Sequence, residues 1–430
     1  MIPAGLTLVL LGALAALLRR PLLAICLTVL TAVLLRQVNS AKRRALGEPL
    51  VFSDLGLFAQ ALRFPRLYLP YIGWPVPLAL ALLFVALMVA GITFESSAGS
   101  WRWLGVALLG AALLALGSWA APPLSFEPHR DLARLGLLGL LWRYWLEERK
   151  PVPALPSCPF RFRGVDPTDR PPIVVLQSES FVDVRRLGIH ARLEEFDRLC
   201  AEGLSGRLSV PAWGANTMRT EFAFLSGVPN AALGVHRFNP YRYIARRPVM
   251  TLAALLRERG YRTVCMHPYP GAFFARHRVL PNLGFDEFLD LKYFAGAERA
   301  GPYVADSALT QRLLSVLSAA TRPLFVFAIT MESHGPFRLE GDDELAVYLE
   351  HLANADAALG PLTRALRARG DGVVCVFGDH VPSLPRLRHE ASAQDGRTDY
   401  LVWRAGRVRQ QRCDLSAEQL GQCVLDAIGA

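Results

Sequence analysis

No C-x-x-C pair occurs among the seven cysteines of these 430 residues, so neither a redox dithiol nor a cysteine-paired zinc site is written locally. Zinc-finger spacing, an aromatic stacking signature and internal repeats are missing too, which removes the common nucleic-acid modules and solenoid arrays. Charge is sparse at 20% of residues, and it leans one way: the formal net charge is +10, carried overwhelmingly by arginine. The basic clusters Arg19–Arg20, Lys42–Arg44, and Arg242 with Arg246 and Arg247 sit beside apolar segments or in a loop. That placement suits a solvated face, a membrane flank or an anionic-headgroup surface, and no nucleic-acid partner is expected. Cys265 and Cys375 fall in strand-like runs and read as buried small hydrophobes. Cys413 and Cys423 are candidates for a disulfide only in an oxidising compartment.

What is abundant is apolar. The chain is 52% hydrophobic with a mean hydropathy of +0.27, and the excess is concentrated in the first third. Four stretches, Ile2–Leu18, Pro21–Leu35, Trp74–Thr93 and Trp103–Ala120, are expected to be membrane spans, although a span needs about 20 residues and the second is short. The first lacks the basic start of a cleaved signal peptide and runs almost directly into the next. Only Arg19 and Arg20 separate these two, which makes a hairpin with a cytoplasmic turn and places everything after Ala120 outside. The basic connection 36–72 competes for the inside on charge alone. Beyond Ala120 come "LGLLGLLWRYWLEERKP", suited to an interfacial helix, and "KPVPALPSCP", suited to a hinge. The expected organisation is a transmembrane domain at 1–121, a juxtamembrane helix and linker at 122–168, and a second domain at 169–430.

From Pro171 the pattern changes. "PPIVVLQSES", "GYRTVCMHPY", "PLFVFAITMESHG", "DGVVCVFGDH" and "TDYLVWRAG" read as strands, and "LEEFDRLCAEG", "TLAALLRERG" and "VYLEHLANADAALGPLTRALRARG" as helices. Such alternation predicts an α/β domain whose mostly parallel sheet is covered by helices on both faces, with ligands at the carboxyl ends of the strands. Glu179, His267, Glu332 to His334, and Asp379 with His380 all fall at such ends. Neighbouring side chains in a strand point to opposite faces, so Asp379 and His380 share a ligand only if the backbone turns, which Gly378 permits. A carboxylate and an imidazole suit one divalent metal: Mn²⁺, Mg²⁺ or Zn²⁺.

The motifs "VVLQSESFVD", "GANTMRTEF", "FARHRVLPNLGFDEF", "MESHGPF" and "FGDH", in that order, resemble the lipoteichoic acid synthase and phosphoglycerol transferase branch of the alkaline phosphatase and sulfatase superfamily. The resemblance spans residues 170–405. It implies a sulfatase-like fold and one divalent metal, Mn²⁺ by preference, held by Glu179, Thr217, Asp379 and His380, with Thr217 as nucleophile. His334 matches the histidine near the reacting phosphate, and Arg276 the arginine that holds phosphoglycerol. His267 and Phe274 join Arg276 as substrate-binding candidates, while core packing competes for Phe274 and structural roles for His267 and His236. Glu221 and Arg219 read as holding the turn after Thr217. Threonine stands where sulfatases carry a modified cysteine or serine, which disfavours sulfate ester hydrolysis.

The expected activity is transfer of phosphoglycerol from phosphatidylglycerol, through Thr217, to a glycan or lipid-linked hydroxyl. The expected location is a bacterial inner membrane with the catalytic domain outside. Phosphoethanolamine transfer, phosphodiester hydrolysis and a catalytically inactive binding protein are the competing expectations.

Overall fold

In lipid every backbone N–H and C=O must pair within its own segment, so runs that are apolar on all sides form helices. The computed structural model describes residues 1–57, 60, 63–65, 73, 75–162, 170–337, 343–384, 387 and 396–429. Trp74, residues 66–72 of the basic connection, residues 163–169 around the expected domain boundary, and Ala430 lie outside the described residues. The chain divides into two compact units, Met1–Pro151 and Val152–Ala430.

The first unit holds helices α1 (Ile2–Leu18), α2 (Pro21–Leu46), α3 (Pro75–Phe94), α4 (Trp101–Trp119) and α5 (Pro128–Glu148). Among the described residues α2, α3 and α4 are long and apolar enough to cross a membrane, and α1, at 17 residues, is apolar but shorter. All four expected apolar segments are helical, three of them of full spanning length, and the short member is the first rather than the second. Helix α2 outruns the expected Leu35 because its polar end is satisfied in place. Lys42 Nζ lies 2.6 Å from Asp54 and 3.2 Å from Glu48, and Asn39 Oδ1 accepts from the Leu50 amide at 2.9 Å. At the other end Glu95 accepts from the Leu22 and Leu23 amides at 2.7 and 2.9 Å, supplying the anionic partner that a helix start favours. Helices α1 and α4 approach through glycine: a Cβ on Gly5 would sit 2.7 Å from the Leu114 amide nitrogen. Such small-residue contacts hold apolar helices together where lipid gives no hydrophobic drive.

The second unit is built on one nine-stranded sheet. Its strands are β1 (Ile173–Ser178), β2 (Leu204–Ser209), β3 (Arg262–Met266), β4 (Glu287–Leu289), β5 (Leu324–Ile329), β6 (Val373–Gly378), β7 (Thr398–Arg404), β8 (Gln411–Arg412) and β9 (Leu415–Ser416). Their order is β8-β2-β7-β6-β1-β5-β3-β4, with β9 against β2. Strand β7 runs antiparallel to both its neighbours, and the other pairings are parallel.

Both faces of the central strands are buried, so β1, β5 and β6 read as nearly continuous apolar runs. On one face Val174, Leu176, Val326 and Val374 pack against α6 (Glu194–Cys200), α9 (Asp306–Ser318) and α10 (Glu344–Arg369). On the other, Ile173, Val175, Phe325 and Phe327 pack against α7 (Met218–Ser226), α8 (Leu252–Glu258) and α11 (Ala417–Gly429). Cys265 and Cys375 belong to this second face and are fully buried.

Candidate active site

Strands β6, β1, β5 and β3 are consecutive and parallel, so their carboxyl ends share one edge. Asp379 and His380 follow β6, Glu179 follows β1, Glu332 and His334 come shortly after β5, and His267 follows β3. The turn after β6 depends on Gly378, since a Cβ there would collide with the Phe181 carbonyl oxygen. The Asp379 carbonyl accepts from Thr220 Oγ1 at 2.7 Å, and its Oδ1 accepts from the Ser180 amide at 2.9 Å. The Glu179 amide donates to Thr330 Oγ1 at 2.9 Å. Held this way, Glu179, Asp379 and His380 place ligand atoms within 4.8 Å of one another, and all three residues are buried.

His380 Nε2 lies 3.3 Å from Glu179 Oε1 and 3.5 Å from Asp379 Oδ2. Burial works to raise the Glu179 carboxyl, but His380 and His334 overcome it and hold the group below its ordinary value. Burial raises the Asp379 carboxyl and the Glu179 charge raises it further; His380, the Ser180 amide and the Thr217 hydroxyl pull it only partly back. Burial works to lower His380, yet the two carboxylates raise it. Asp379 Oδ2 is buried without a hydrogen-bond partner among the described residues. Two carboxylates and an imidazole around one orphaned oxygen fit a divalent cation, whose binding would displace the His380 proton.

Thr217 is the N-cap of α7, in contact with Asp379. Gly214 (φ 65°) and Asn216 (φ 66°) are both left-handed, and the Gly214 amide donates to the Val381 carbonyl at 3.0 Å. The platform is thus pinned just past His380, and the next turn, through Thr220, grips the Asp379 backbone.

One turn beyond Thr217 a second buried group begins. Glu221 takes Arg276 by two prongs, Nη2 to Oε2 at 2.8 Å and Nε to Oε1 at 3.4 Å, and Tyr241 donates its hydroxyl to Oε1. Arg276 Nη1 donates to His267 Nε2 at 3.2 Å, and His267 Nδ1 lies 3.2 Å from the Ile329 carbonyl, to which it donates. Burial and then Arg276 push His267 well below its ordinary pKa, so the ring is neutral. The Phe274 ring lies 5.3 Å from the Arg276 guanidinium carbon. Arg276, His267 and Phe274 are therefore together as expected, but Arg276 is 1% exposed and already paired. Glu221 and Tyr241 are the members that sequence reasoning did not assign to this group; the i, i+4 spacing of Thr217 and Glu221 was the available signal.

His334 is half-buried, with Nδ1 2.7 Å from the Gly335 carbonyl and its ring centroid 5.5 Å from that of Tyr303. Its segment is tied down by Glu332, which accepts from the Asp306 amide and from Asn354 Nδ2, both at 2.7 Å. His236 is buried at the edge of Tyr243 and outside both groups of contacts.

Asp306 carries a pH-dependent cost. Its two carboxyl oxygens are buried without a partner among the described residues, and burial, then Glu332 and Glu179, raise its pKa well above the ordinary value. An unfolded Asp ionises near ~3.9, so above that pH the unfolded chain has released a proton that the folded chain retains. Stability therefore falls as pH rises from about 4 toward the folded pKa. Asp306→Asn is expected to raise the thermal midpoint at pH 7 and to change it little at pH 4; an equal shift at both would remove the titration argument.

The family model described as Sulfatase matches residues 171–429. The capsular polysaccharide biosynthesis protein RkpI of Rhizobium meliloti is 30% identical over 423 residues, covering 89% of this chain and 77% of that protein. A second protein of that organism, provisionally named for cyclic beta-1,2-glucan modification, is 30% identical over 254 residues, and the match spans 55% of this chain and 39% of its length. Among solved structures, the Neisseria meningitidis lipooligosaccharide phosphoethanolamine transferase A aligns over 97% of this chain and 89% of its own, with TM-score 0.56 and 14% identity. The Streptococcus pyogenes phosphoglycerol transferase GacH aligns over 61% of this chain and 75% of its own, with TM-score 0.52 and 22% identity. The Listeria monocytogenes lipoteichoic acid synthase LtaP aligns over 66% and 77%, with TM-score 0.52 and 21% identity. This chain belongs to the sulfatase family, and it shares its fold with the lipoteichoic acid synthase and phosphoglycerol transferase branch.

Proposed function

We propose that this protein is a membrane-anchored transferase that takes phosphoglycerol from phosphatidylglycerol onto Thr217 and passes it to a hydroxyl of a glycan or lipid-linked acceptor. The observation that carries the reading is a threonine hydroxyl in contact with a buried two-carboxylate and imidazole cluster. Glu179, Asp379, His380 and Thr217 would hold a divalent cation, Mn²⁺ by preference with Mg²⁺ or Zn²⁺ as alternatives, which would supply positive charge to lower the hydroxyl's pKa and offset the carboxylates. The left-handed platform at Gly214 and Asn216 presents the Thr217 oxygen to phosphorus. As the new oxygen–phosphorus bond forms, the bond to the diacylglycerol oxygen breaks. His334, with Nδ1 engaged by Gly335, keeps Nε2 to protonate that leaving oxygen and later to take the acceptor's proton. Arg276 holds the headgroup through the N–H donors that neither Glu221 nor His267 engages, with His267 fixing the guanidinium and Phe274 beside it.

The domain division proposed is a membrane section at 1–121, a juxtamembrane helix and linker at 122–168 and a catalytic domain at 169–430. The catalytic domain faces outside a bacterial inner membrane, where an outer-leaflet donor is within reach. The long alignment with a phosphoethanolamine transferase supports a second reading in which the same site takes that headgroup.

The test is the mass of the Thr217 peptide after the Mn²⁺-loaded protein meets bacterial phospholipids and is quenched in acid. A glycerophosphoryl adduct is expected. A phosphoethanolamine adduct selects the second reading, and an unmodified peptide on metal-loaded protein removes the covalent step.

A further inference from the structure

Between Phe222 and Phe285 the chain carries nine arginines and one acidic residue, Glu258. This segment supplies Tyr241, His267, Phe274 and Arg276 to the buried group, while Arg262, at the opposite end of β3, is paired with Glu287. Two of its surface loops are clamped together. Asn282 Nδ2 donates to the Ala245 carbonyl at 3.1 Å and to the Arg278 carbonyl at 3.4 Å, and its own carbonyl accepts from the Val249 amide at 3.0 Å. The clamp brings exposed Arg246, Arg247 and Met250 onto the same surface as exposed His277 and Arg278. Met250 is 44% exposed, an apolar side chain set among cations. Among the described residues no carboxylate pairs with Arg246, Arg247 or Arg278, and the contact found for Arg246 is with the Tyr243 ring at 5.5 Å.

We propose that this rim, Arg246, Arg247, Met250 and Arg278, docks on an anionic bilayer surface, with the arginines on lipid phosphates and Met250 entering the headgroup layer. The case for a bilayer is the combination: several exposed cations without a carboxylate partner among the described residues, an exposed apolar side chain on the same surface, and three helices in the same chain able to cross a membrane. An acidic glycan would be met by the same charge, but it gives no reason for an exposed methionine on that surface. The inference rests on the lipid-borne donor proposed above, since docking would hold the pocket at the depth where headgroups lie.

The test needs no turnover, so its failure is distinguishable from failure of the transfer reaction. Full-length protein carrying a benzoylphenylalanine photoprobe in place of Met250 is placed in nanodiscs of phosphatidylcholine with or without phosphatidylglycerol. A second probe in place of Leu82, an exposed position of α3, is the control. The expected result is lipid adducts at position 250 in the anionic discs, falling by about tenfold or more at high salt or in R246Q/R247Q/R278Q, while adducts at position 82 persist. Equal labelling in neutral discs, or no lipid adduct at 250 while 82 labels, overturns the proposal. Labelling at 250 only by an added acidic oligosaccharide overturns it in favour of a glycan-binding rim.

Discussion

Thr217→Ala is expected to abolish the covalent adduct and to lower headgroup release by about a thousandfold or more, with the fold intact. The substitution is unusually clean. Thr217 occupies the N-cap of α7, but its side chain makes no capping hydrogen bond, so the helix start does not depend on it. A typical N-cap loss would cost ~1 kcal/mol, and here the thermal midpoint should barely move. The three other expected ligands stay within 4.8 Å of one another without Thr217, so metal content, measured alongside turnover, should be weakened rather than lost. Thr217→Ser retains an oxygen and should recover part of the rate. Turnover within tenfold of the unsubstituted protein in the alanine variant would remove Thr217 as nucleophile, whatever the acceptor.

Glu221→Gln is expected to damage stability and turnover together. Side chains of Glu221 and Arg276 are 0% and 2% exposed, so removing the carboxylate leaves a guanidinium buried without its counter-charge. Breaking such a pair costs about 3–5 kcal/mol. Tyr241→Phe removes one donor to the same carboxylate and should cost ~1 kcal/mol. Stability loss alone would not separate a structural pair from a functional one, so the informative variant replaces both charges. Glu221→Leu with Arg276→Met restores apolar packing and should recover much of the stability, because a buried pair adds little over well-packed apolar residues. Turnover should stay at least about a hundredfold down, as the headgroup clamp is gone. Recovery of both would make the pair purely architectural and return the phosphate-holding role to residues nearer Thr217.

The parts of the fold legible in the sequence were those with a local cause. β1, β3, β5, β6 and β7 announced themselves because strands buried on both faces carry apolar runs rather than an alternation. The punctuation at their ends was equally local, which is why Glu179, His267, His334, Asp379 and His380 stood out. β2 did not, since "LSGRLS" has half-buried positions and little apolar pattern. Helix α7 was invisible as an amphipathic segment because all nine of its residues are buried, leaving no polar face to set a period. In the membrane section, apolar composition located each helix, but the end of α2 was misplaced by eleven residues, from Leu35 to Leu46, because contacts with Glu48, Asp54 and Leu50 satisfy its polar turns.

By itself the sequence determined the class of the protein: an apolar helical section, then a parallel α/β unit with acids and histidines at its strand ends. Periodicity and strand punctuation are properties of neighbouring residues, and they survive being read one after another. The tertiary structure alone decided which polar residues meet. Glu179 and Asp379 are 200 positions apart in sequence, and Glu221 and Arg276 are 55 apart, yet each pair is buried in one contact group. Which strand lies beside which, and which helix start faces that edge, follows from burying both faces of the sheet at once. That condition belongs to the whole unit and to no single segment.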